Sequence, residues 1–100
     1  MTATTTAQAP TETTGARTEQ AASLIGDARE RIDALDNRII GLIRERIAFS
    51  AMIQDTRIAS GGRRVNLSRE MEVLSTYNGA FGKSGTALAM ALLELGRGRI

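Results

Sequence analysis

Apolar side chains recur every three or four residues along one long stretch of the chain, from Asp27 to about Ala59. Two rows of a heptad pattern run through it for about four repeats, and such a seam is typical of one long amphipathic helix. The two rows are Ile25, Ile32, Ile39, Arg46 and Ile53, and Ala28, Leu35, Leu42, Phe49 and Thr56. Asp27, with Glu30 three residues later, is the predicted N-terminal cap. Gly61 and Gly62 allow a left-handed turn, and we expect the helix to end before them.

Two shorter helices are predicted after the long one. The second is predicted to begin at a cap formed by Asn66 or Ser68 and to end near Asn78. A loop over residues 82–85 precedes a third helix, TALAMALLEL, which Ser84 or Thr86 is expected to cap. The third helix is apolar on almost every side, so we expect it to be heavily buried.

The two ends of the chain carry no such pattern. Residues 1–23 are rich in Thr and Ala and have few large apolar side chains, a composition that predicts a disordered tail. The residues from Gly96 onward have no predicted structure. The sequence therefore predicts a tail at residues 1–23 and one helical domain at residues 24–100, of the all-α class.

The length of the long helix predicts a homodimer. A helix of about 33 residues is about 50 Å long, and the two following helices cover about 33 Å of it. A compact domain of this size is only about 30 Å across. We therefore expect a second copy of the chain to cover the rest of the seam, in an intertwined two-fold dimer with antiparallel long helices.

Composition removes several classes of function. The chain has no Cys and no His, which excludes thiolate and imidazole metal sites and a histidine base, so we expect no metal or cofactor. Lys83 is the single lysine among 13 basic residues, and arginine is the better partner for carboxylates and phosphates. The arginines are dispersed and aromatic residues are 3%, which argues against nucleic acid. The sequence has no span-length apolar run and no signal-peptide pattern, so we expect a cytoplasmic location and no membrane partner.

Arg46 occupies a seam position at which an isoleucine is expected. A cation in an apolar stripe needs a counter-ion or access to water. Arg57 lies about three turns further on, roughly 16 Å away and on nearly the same side, so a small dianion fits between the two guanidinium groups. Two other interpretations of Arg46, taken together, are about as well supported as a role in binding an anion. In one its side chain extends to solvent, and in the other it sets the register of a coiled coil.

Three further charged residues are candidates for the same pocket. Arg69 and Glu70 open the second helix, which the preceding glycine turn allows to fold back over the groove. Arg29 lies about 25 Å upstream of Arg46 and roughly a quarter turn away, so only an antiparallel partner chain brings it to that pocket. Taken singly, Arg29, Arg57 and Arg69 are more often solvated surface residues. Glu70 is more often a first-turn carboxylate favoured by the helix dipole.

The order of several motifs resembles one enzyme family. The string ARERIDALDNRIIGLIRERIAFS, then Arg57, then NLSRE and the closing LLELGRGRI resemble the all-helical chorismate mutases, most of all the short members that end in GRGR. The resemblance covers residues from about 24 to 100. It implies a three-helix, L-shaped protomer in an entwined homodimer. The implied reaction is the rearrangement of chorismate to prephenate, in the biosynthesis of phenylalanine and tyrosine.

The resemblance also implies which arginines hold the substrate. Arg29 of the partner protomer and Arg46 each bind a substrate carboxylate, which selects the compact conformer and fixes its position. Arg57 lies near the breaking ether oxygen. A cation there stabilises negative charge that exists mainly in the transition state. No cofactor is implied, because this unimolecular rearrangement needs no proton transfer.

Three residues of the second helix and its cap complete the implied site. Glu70 contacts the ring hydroxyl of the substrate, Arg69 supports the pocket, and Asn66 faces the same hydroxyl. The chain departs from the family near its C terminus. Well-studied relatives have a glutamine near the end of the third helix that donates to the ether oxygen, and this chain has glycines, arginines and Ile100 there.

The resemblance implies a protein partner and leaves alternatives open. Similar short members dock onto 3-deoxy-heptulosonate-phosphate synthase, which rearranges their C-terminal segment and raises their activity, so we expect the same partner here. Isochorismate pyruvate lyase and aminodeoxychorismate mutase use closely similar pockets. A non-catalytic helical dimer that binds anionic partners, or a coiled-coil module in which Arg46 only sets register, needs no reaction at all.

Overall fold

The computed structural model describes residues 13–63 and 65–98, and these residues form three helices and no strand. Helix α1 is Glu19–Ala59, α2 is Leu67–Phe81 and α3 is Lys83–Arg97. The predicted all-α class, with one long helix followed by two short ones, is confirmed. The chain divides into two compact units, residues 1–40 and 41–100. No helix in the described ranges is both long enough and apolar enough to cross a membrane.

Helix α1 begins at Glu19, so the predicted start at Asp27 is wrong. Thr18 is the cap: its Oγ1 accepts a hydrogen bond from the amide of Ala21 at 3.0 Å, and its carbonyl accepts one from the amide of Ala22 at 3.0 Å. The alanines that follow are strong helix formers, so the helix extends upstream over residues 19–23. These five residues were expected to belong to the disordered tail. Residues 1–12 of that predicted tail lie outside the described residues.

The predicted end of α1 at the two glycines is confirmed. Gly61 has a φ of 89°, in the left-handed region that favours glycine. The amide of Gly62 then donates to the carbonyl of Arg57 at 2.7 Å, and the hydroxyl of Ser60 donates to the same carbonyl at 2.7 Å. The turn therefore fixes the backbone of Arg57, a candidate site residue.

Of the two predicted caps for α2, Asn66 is the one used. Its Oδ1 accepts a hydrogen bond from the amide of Arg69 at 3.2 Å, three residues later. This bond satisfies one of the amides that the first turn of a helix leaves without a partner. The cap also determines where the side chains of the first turn of α2 lie.

A single residue, Gly82, separates α2 from α3, so the predicted loop over residues 82–85 is wrong. Gly82 has a φ of 67° and donates to the carbonyl of Asn78 at 2.7 Å. Helix α3 has no side-chain cap, so the prediction of Ser84 or Thr86 as the cap is also wrong. The hydroxyl of Thr86 instead accepts from the side-chain amide of Asn78 at 3.0 Å. The one-residue turn lets α2 continue past its predicted end near Asn78.

Helices α2 and α3 pack closely around a small core. Val73, Ala89 and Leu92 are buried there. Gly85 makes the close approach possible, because a Cβ atom at this position would lie 2.0 Å from the carbonyl oxygen of Tyr77. The hairpin of α2 and α3 therefore depends on glycine at position 85.

Much apolar surface stays exposed in the single chain. Helix α1 has no buried residue, and its seam residues Ile32 and Ile39 are 53% and 50% exposed. The expectation that α3 is heavily buried is wrong for one chain, because its outer face is exposed at Leu88, Met90 and Leu95. Large exposed apolar patches commonly mark interaction surfaces, and the exposed seam of α1 is a candidate for one.

Candidate functional site

Within residues 41–63 and 65–98, a cavity of about 250 Å³ lies beside α1, the start of α2 and the end of α3. Its volume suits a small metabolite. Apolar lining comes from Phe49, Ile53 and Leu93, among others. The polar residues of the lining are Arg46, Ser50, Gln54, Arg57, Asn66, Arg69, Glu70 and Arg97.

Helix α1 supplies four of these polar side chains from one face. Arg46, Ser50, Gln54 and Arg57 follow one another at spacings of four, four and three residues. Residues three and four apart lie above one another on a helix, so all four are directed towards the cavity. Arg46 and Arg57 were predicted from the sequence, whereas Ser50 and Gln54 were missed. Their position on the same helical stripe was the signal that would have found them.

Arg46 lies against α3 and is half-buried. Its Nη1 donates to the carbonyl of Leu92 at 3.4 Å, and the same atom lies 3.7 Å from the position of a Cβ on Gly96. Within the described ranges, no carboxylate lies within ion-pair distance of this guanidinium. The side chain is therefore not extended into bulk solvent, and an anion in the cavity would supply its counter-ion.

The first turn of α2 brings three predicted site residues to the cavity. The Oδ1 of Asn66 is engaged as the helix cap. Arg69 forms an exposed ion pair with Glu72, with 3.1 Å between Nη1 and Oε1. Glu70 is more buried, and its Oε1 accepts a hydrogen bond from the Nη2 of Arg97 at 2.5 Å.

The last turn of α3 closes one side of the cavity. The expectation of no structure from Gly96 onward is wrong as far as Arg97, because α3 continues through Arg97. The side-chain amide of Gln54 donates to the carbonyl of Gly96 at 3.2 Å. Arg97 had no predicted role, because its partner, Glu70, is distant in the chain and helical periodicity does not reveal such a contact.

Positive charge is in excess at the cavity. Four guanidinium groups and one carboxylate belong to its lining, those of Arg46, Arg57, Arg69, Arg97 and Glu70. A recess with this balance concentrates small anions, and paired guanidinium groups suit carboxylates best. The described part of the chain has no cluster of acidic residues that would hold a metal ion. The arrangement therefore favours a small dianion as the ligand.

Arg29 is the predicted site residue that does not belong to this lining. It lies in the unit of residues 1–40, where its exposed side chain donates from Nη1 to the carbonyl of Thr13 at 2.7 Å. Its assignment requires a partner chain and stays a prediction.

Comparisons with known proteins agree on one family. The chain is 50% identical over 76 residues to the intracellular chorismate mutase of Mycolicibacterium smegmatis, which covers 76% of this chain and 73% of that protein. The intracellular chorismate mutase of Mycobacterium tuberculosis is 46% identical over 76 residues, with 76% of this chain and 71% of that protein covered. No family model matches the chain.

A solved structure agrees with these relatives. It is a non-covalent complex of DAHP synthase and chorismate mutase from Corynebacterium glutamicum with a bound transition-state analogue. The matching chain is 34% identical with a TM-score of 0.77, and the match covers 81% of this chain and 98% of that one.

Proposed function

The chain belongs to the chorismate mutase family, and we propose that its arginine-lined cavity is the site at which it rearranges chorismate to prephenate. One observation carries the assignment to this cavity. Five residues chosen from the sequence lie in its lining, namely Arg46, Arg57, Asn66, Arg69 and Glu70. The relatives are named intracellular, in agreement with the cytoplasmic location expected from the sequence.

Two arginines of α1 carry the main electrostatic roles in this proposal. Arg46 binds a substrate carboxylate, which supplies the counter-ion that the described residues do not give it. Arg57 donates to the ether oxygen as the C–O bond lengthens. The turn at Gly62 holds the Arg57 backbone, so the side chain extends from a fixed point beside the cavity. A cation near the ether oxygen lowers the barrier because the negative charge it stabilises exists mostly in the transition state.

The start of α2 orients the other end of the substrate. Glu70 accepts a hydrogen bond from the ring hydroxyl, and Arg69 supports the pocket from its rim. Asn66 retains its amide group for the same hydroxyl while its Oδ1 caps the helix. The reaction is unimolecular, so positioning and charge stabilisation suffice and no group of the protein needs to transfer a proton.

A second copy of the chain completes the site in our proposal. The exposed apolar residues of α1, such as Ile32 and Ile39, provide apolar surface for an antiparallel copy. Arg29 of that copy then binds the remaining carboxylate. In this homodimer the Arg29 side chain exchanges its contact with the Thr13 carbonyl for a charged partner.

We also propose that DAHP synthase, which is 3-deoxy-heptulosonate-phosphate synthase, binds this chain and raises its activity. The support is the complex of this synthase with the chorismate mutase of Corynebacterium glutamicum, whose chain matches along most of its length. The last turn of α3 contacts Arg46, Gln54 and Glu70, so any movement of that turn on binding changes the cavity directly.

Loss of chorismate absorbance on addition of the purified chain tests the proposed function. We expect loss of chorismate with the chain alone and a higher kcat/KM when a cognate synthase is present. Isochorismate and aminodeoxychorismate, assayed in parallel, should react far more slowly. No loss of chorismate at any enzyme concentration, even with the synthase, would refute the assignment. An unchanged kcat/KM with the synthase would refute only the partnership.

A further inference from the structure

The ion pair between Arg97 and Glu70 joins distant parts of the chain at the wall of the cavity. Its side chains are 33% and 18% exposed. The ion pair between Arg69 and Glu72, by contrast, lies within one turn of α2, with side chains 69% and 68% exposed. Exposed ion pairs of that kind contribute little to stability, because solvent screens the two charges and both side chains are mobile. A shielded, charge-assisted hydrogen bond fixes the orientation of both partners.

The backbone beside Arg97 is held in place by α1. A Cβ atom on Gly96 would lie 3.0 Å from the hydroxyl of Ser50, so α3 packs closely against the side chain of Ser50 at this point. The carbonyl of Gly96 also accepts the hydrogen bond from Gln54. The guanidinium of Arg97 therefore extends from a fixed point, and its contact with Glu70 has a defined direction.

A carboxylate in a pocket for a dianion presents an electrostatic problem. Glu70 and the two carboxylates of the ligand carry like charges, and their repulsion grows as the ligand excludes water. Arg97 offsets that repulsion through the pair at Oε1. A carboxylate accepts several hydrogen bonds, so the pair leaves Glu70 able to accept one from a ligand hydroxyl.

We infer that Arg97 is a positioning residue, which holds and neutralises Glu70 so that this carboxylate receives the hydroxyl of a bound hydroxy-dicarboxylate. The inference rests on the proposed function and adds a residue that has no role in the prediction from the sequence. Arg97 acts through Glu70 and does not bind the substrate carboxylates, which Arg46 and the partner's Arg29 bind.

A double-mutant cycle tests this role. Arg97→Gln is expected to lower kcat/KM for chorismate about tenfold, and Glu70→Gln at least as much. The double variant should be no less active than Glu70→Gln alone, because Arg97 has nothing to position once Glu70 is replaced. Arg97→Lys should recover part of the loss. Additive losses, or unchanged kcat/KM in Arg97→Gln, would overturn the inference.

Two controls separate positioning from folding. Lys83→Gln removes an exposed cation at the other end of α3, away from the cavity, and should leave kcat/KM within about twofold. The Tm of each variant is measured alongside. If Arg97→Gln lowers Tm enough to unfold the chain, Arg97→Lys takes its place in the cycle, with the same non-additivity expected.

The same cycle is also measured as calorimetric affinity for a stable dicarboxylate analogue of the transition state, which requires no turnover. A chain that binds the analogue with the expected non-additivity but leaves chorismate unchanged would refute the proposed function and keep the role of Arg97. A chain that converts chorismate with additive losses would refute only the role of Arg97. Absence of analogue binding would refute both.

Discussion

The two halves of helix α1 share one heptad pattern but differ in what their side chains contact. In residues 19–40, seam positions such as Ile32 and Ile39 are exposed in the single chain. In residues 41–59, the seam position Arg46 contacts a carbonyl of α3 and lines a cavity together with Gln54 and Arg57. We therefore propose that the first half provides surface for association and that the second half adds charge for a ligand.

The contrast explains why Arg46 is compatible with an apolar seam. Ile39 and Ile53 occupy the same heptad position one repeat before and after it, and each remains about half exposed. Arg46 instead contacts the end of α3, where backbone carbonyls and the cavity provide polar surroundings. In our proposal one periodic pattern thus specifies both the dimer surface and the site, and variants in the two halves should have separable effects.

Arg57→Ala should have the largest effect on catalysis. We expect kcat to fall about 10²- to 10³-fold with little change in KM, because the lost interaction acts on transition-state charge. Steady-state kinetics with chorismate measure both constants. Arg44→Ala, an exposed arginine of α1 outside the cavity lining, is the matched control. A rise in KM alone would mean that Arg57 only binds substrate.

Arg46→Ala should lower kcat/KM about 10- to 100-fold, since a hydrogen bond to a charged group contributes about 1.5–3 kcal/mol. Both kcat and KM should change, because the carboxylate is bound in the ground state and the transition state alike. Arg46→Leu examines the rival interpretation of a coiled-coil register residue. In that case the dimer becomes more stable and activity persists, whereas we expect activity to be lost.

Ile39→Ser should weaken the dimer. Removal of this apolar side chain from the seam costs roughly 1.5 kcal/mol, so the dissociation constant should rise at least about tenfold. Analytical ultracentrifugation measures the constant. Asn37→Ser, a polar exchange on the outer face of the same helix, should leave it unchanged. A monomeric wild-type chain that is fully active would contradict the two-chain site.

Glu72→Gln should have the smallest effect of these substitutions. It breaks the exposed pair with Arg69, and such pairs contribute less than about 1 kcal/mol to stability. We expect a small change in Tm and a change in kcat/KM below about threefold. A tenfold loss would show that Glu72 orients Arg69 towards the ligand.

The order of one long and two short helices could be predicted from the sequence, because the patterns that define each helix are local. The heptad seam, the glycines at 61 and 62 and the cap at Asn66 each act over a few residues. The start of α1 was predicted too late in the chain. Residues 19–23 have few apolar side chains, so the heptad pattern does not extend over them although they are helical. Their composition predicted a disordered tail, but the helix propensity of the two alanines and the cap at Thr18 favour a helix.

The site was predicted in part, and the missing part has a physical cause. Arg46 and Arg57 were recognisable because they share a helix face. Gln54 was missed although it shares that face, whereas Arg97 was missed because its partner, Glu70, lies far away in the chain. Contacts of this kind depend on how the α2–α3 hairpin packs against α1. Glycine at position 85 lets α2 and α3 approach within the hairpin, and glycine at position 96 leaves room beside the side chain of Ser50 on α1.

Mixed dimers test most directly whether two chains build one site. Arg29→Ala and Arg46→Ala are each expected to retain at most about a tenth of the wild-type activity. If Arg29 acts in the partner's site, half of the dimers in an equilibrated equal mixture are mixed, and each mixed dimer has one intact site. We therefore predict about a quarter of the wild-type activity. A mixture no more active than its two components would contradict the shared site.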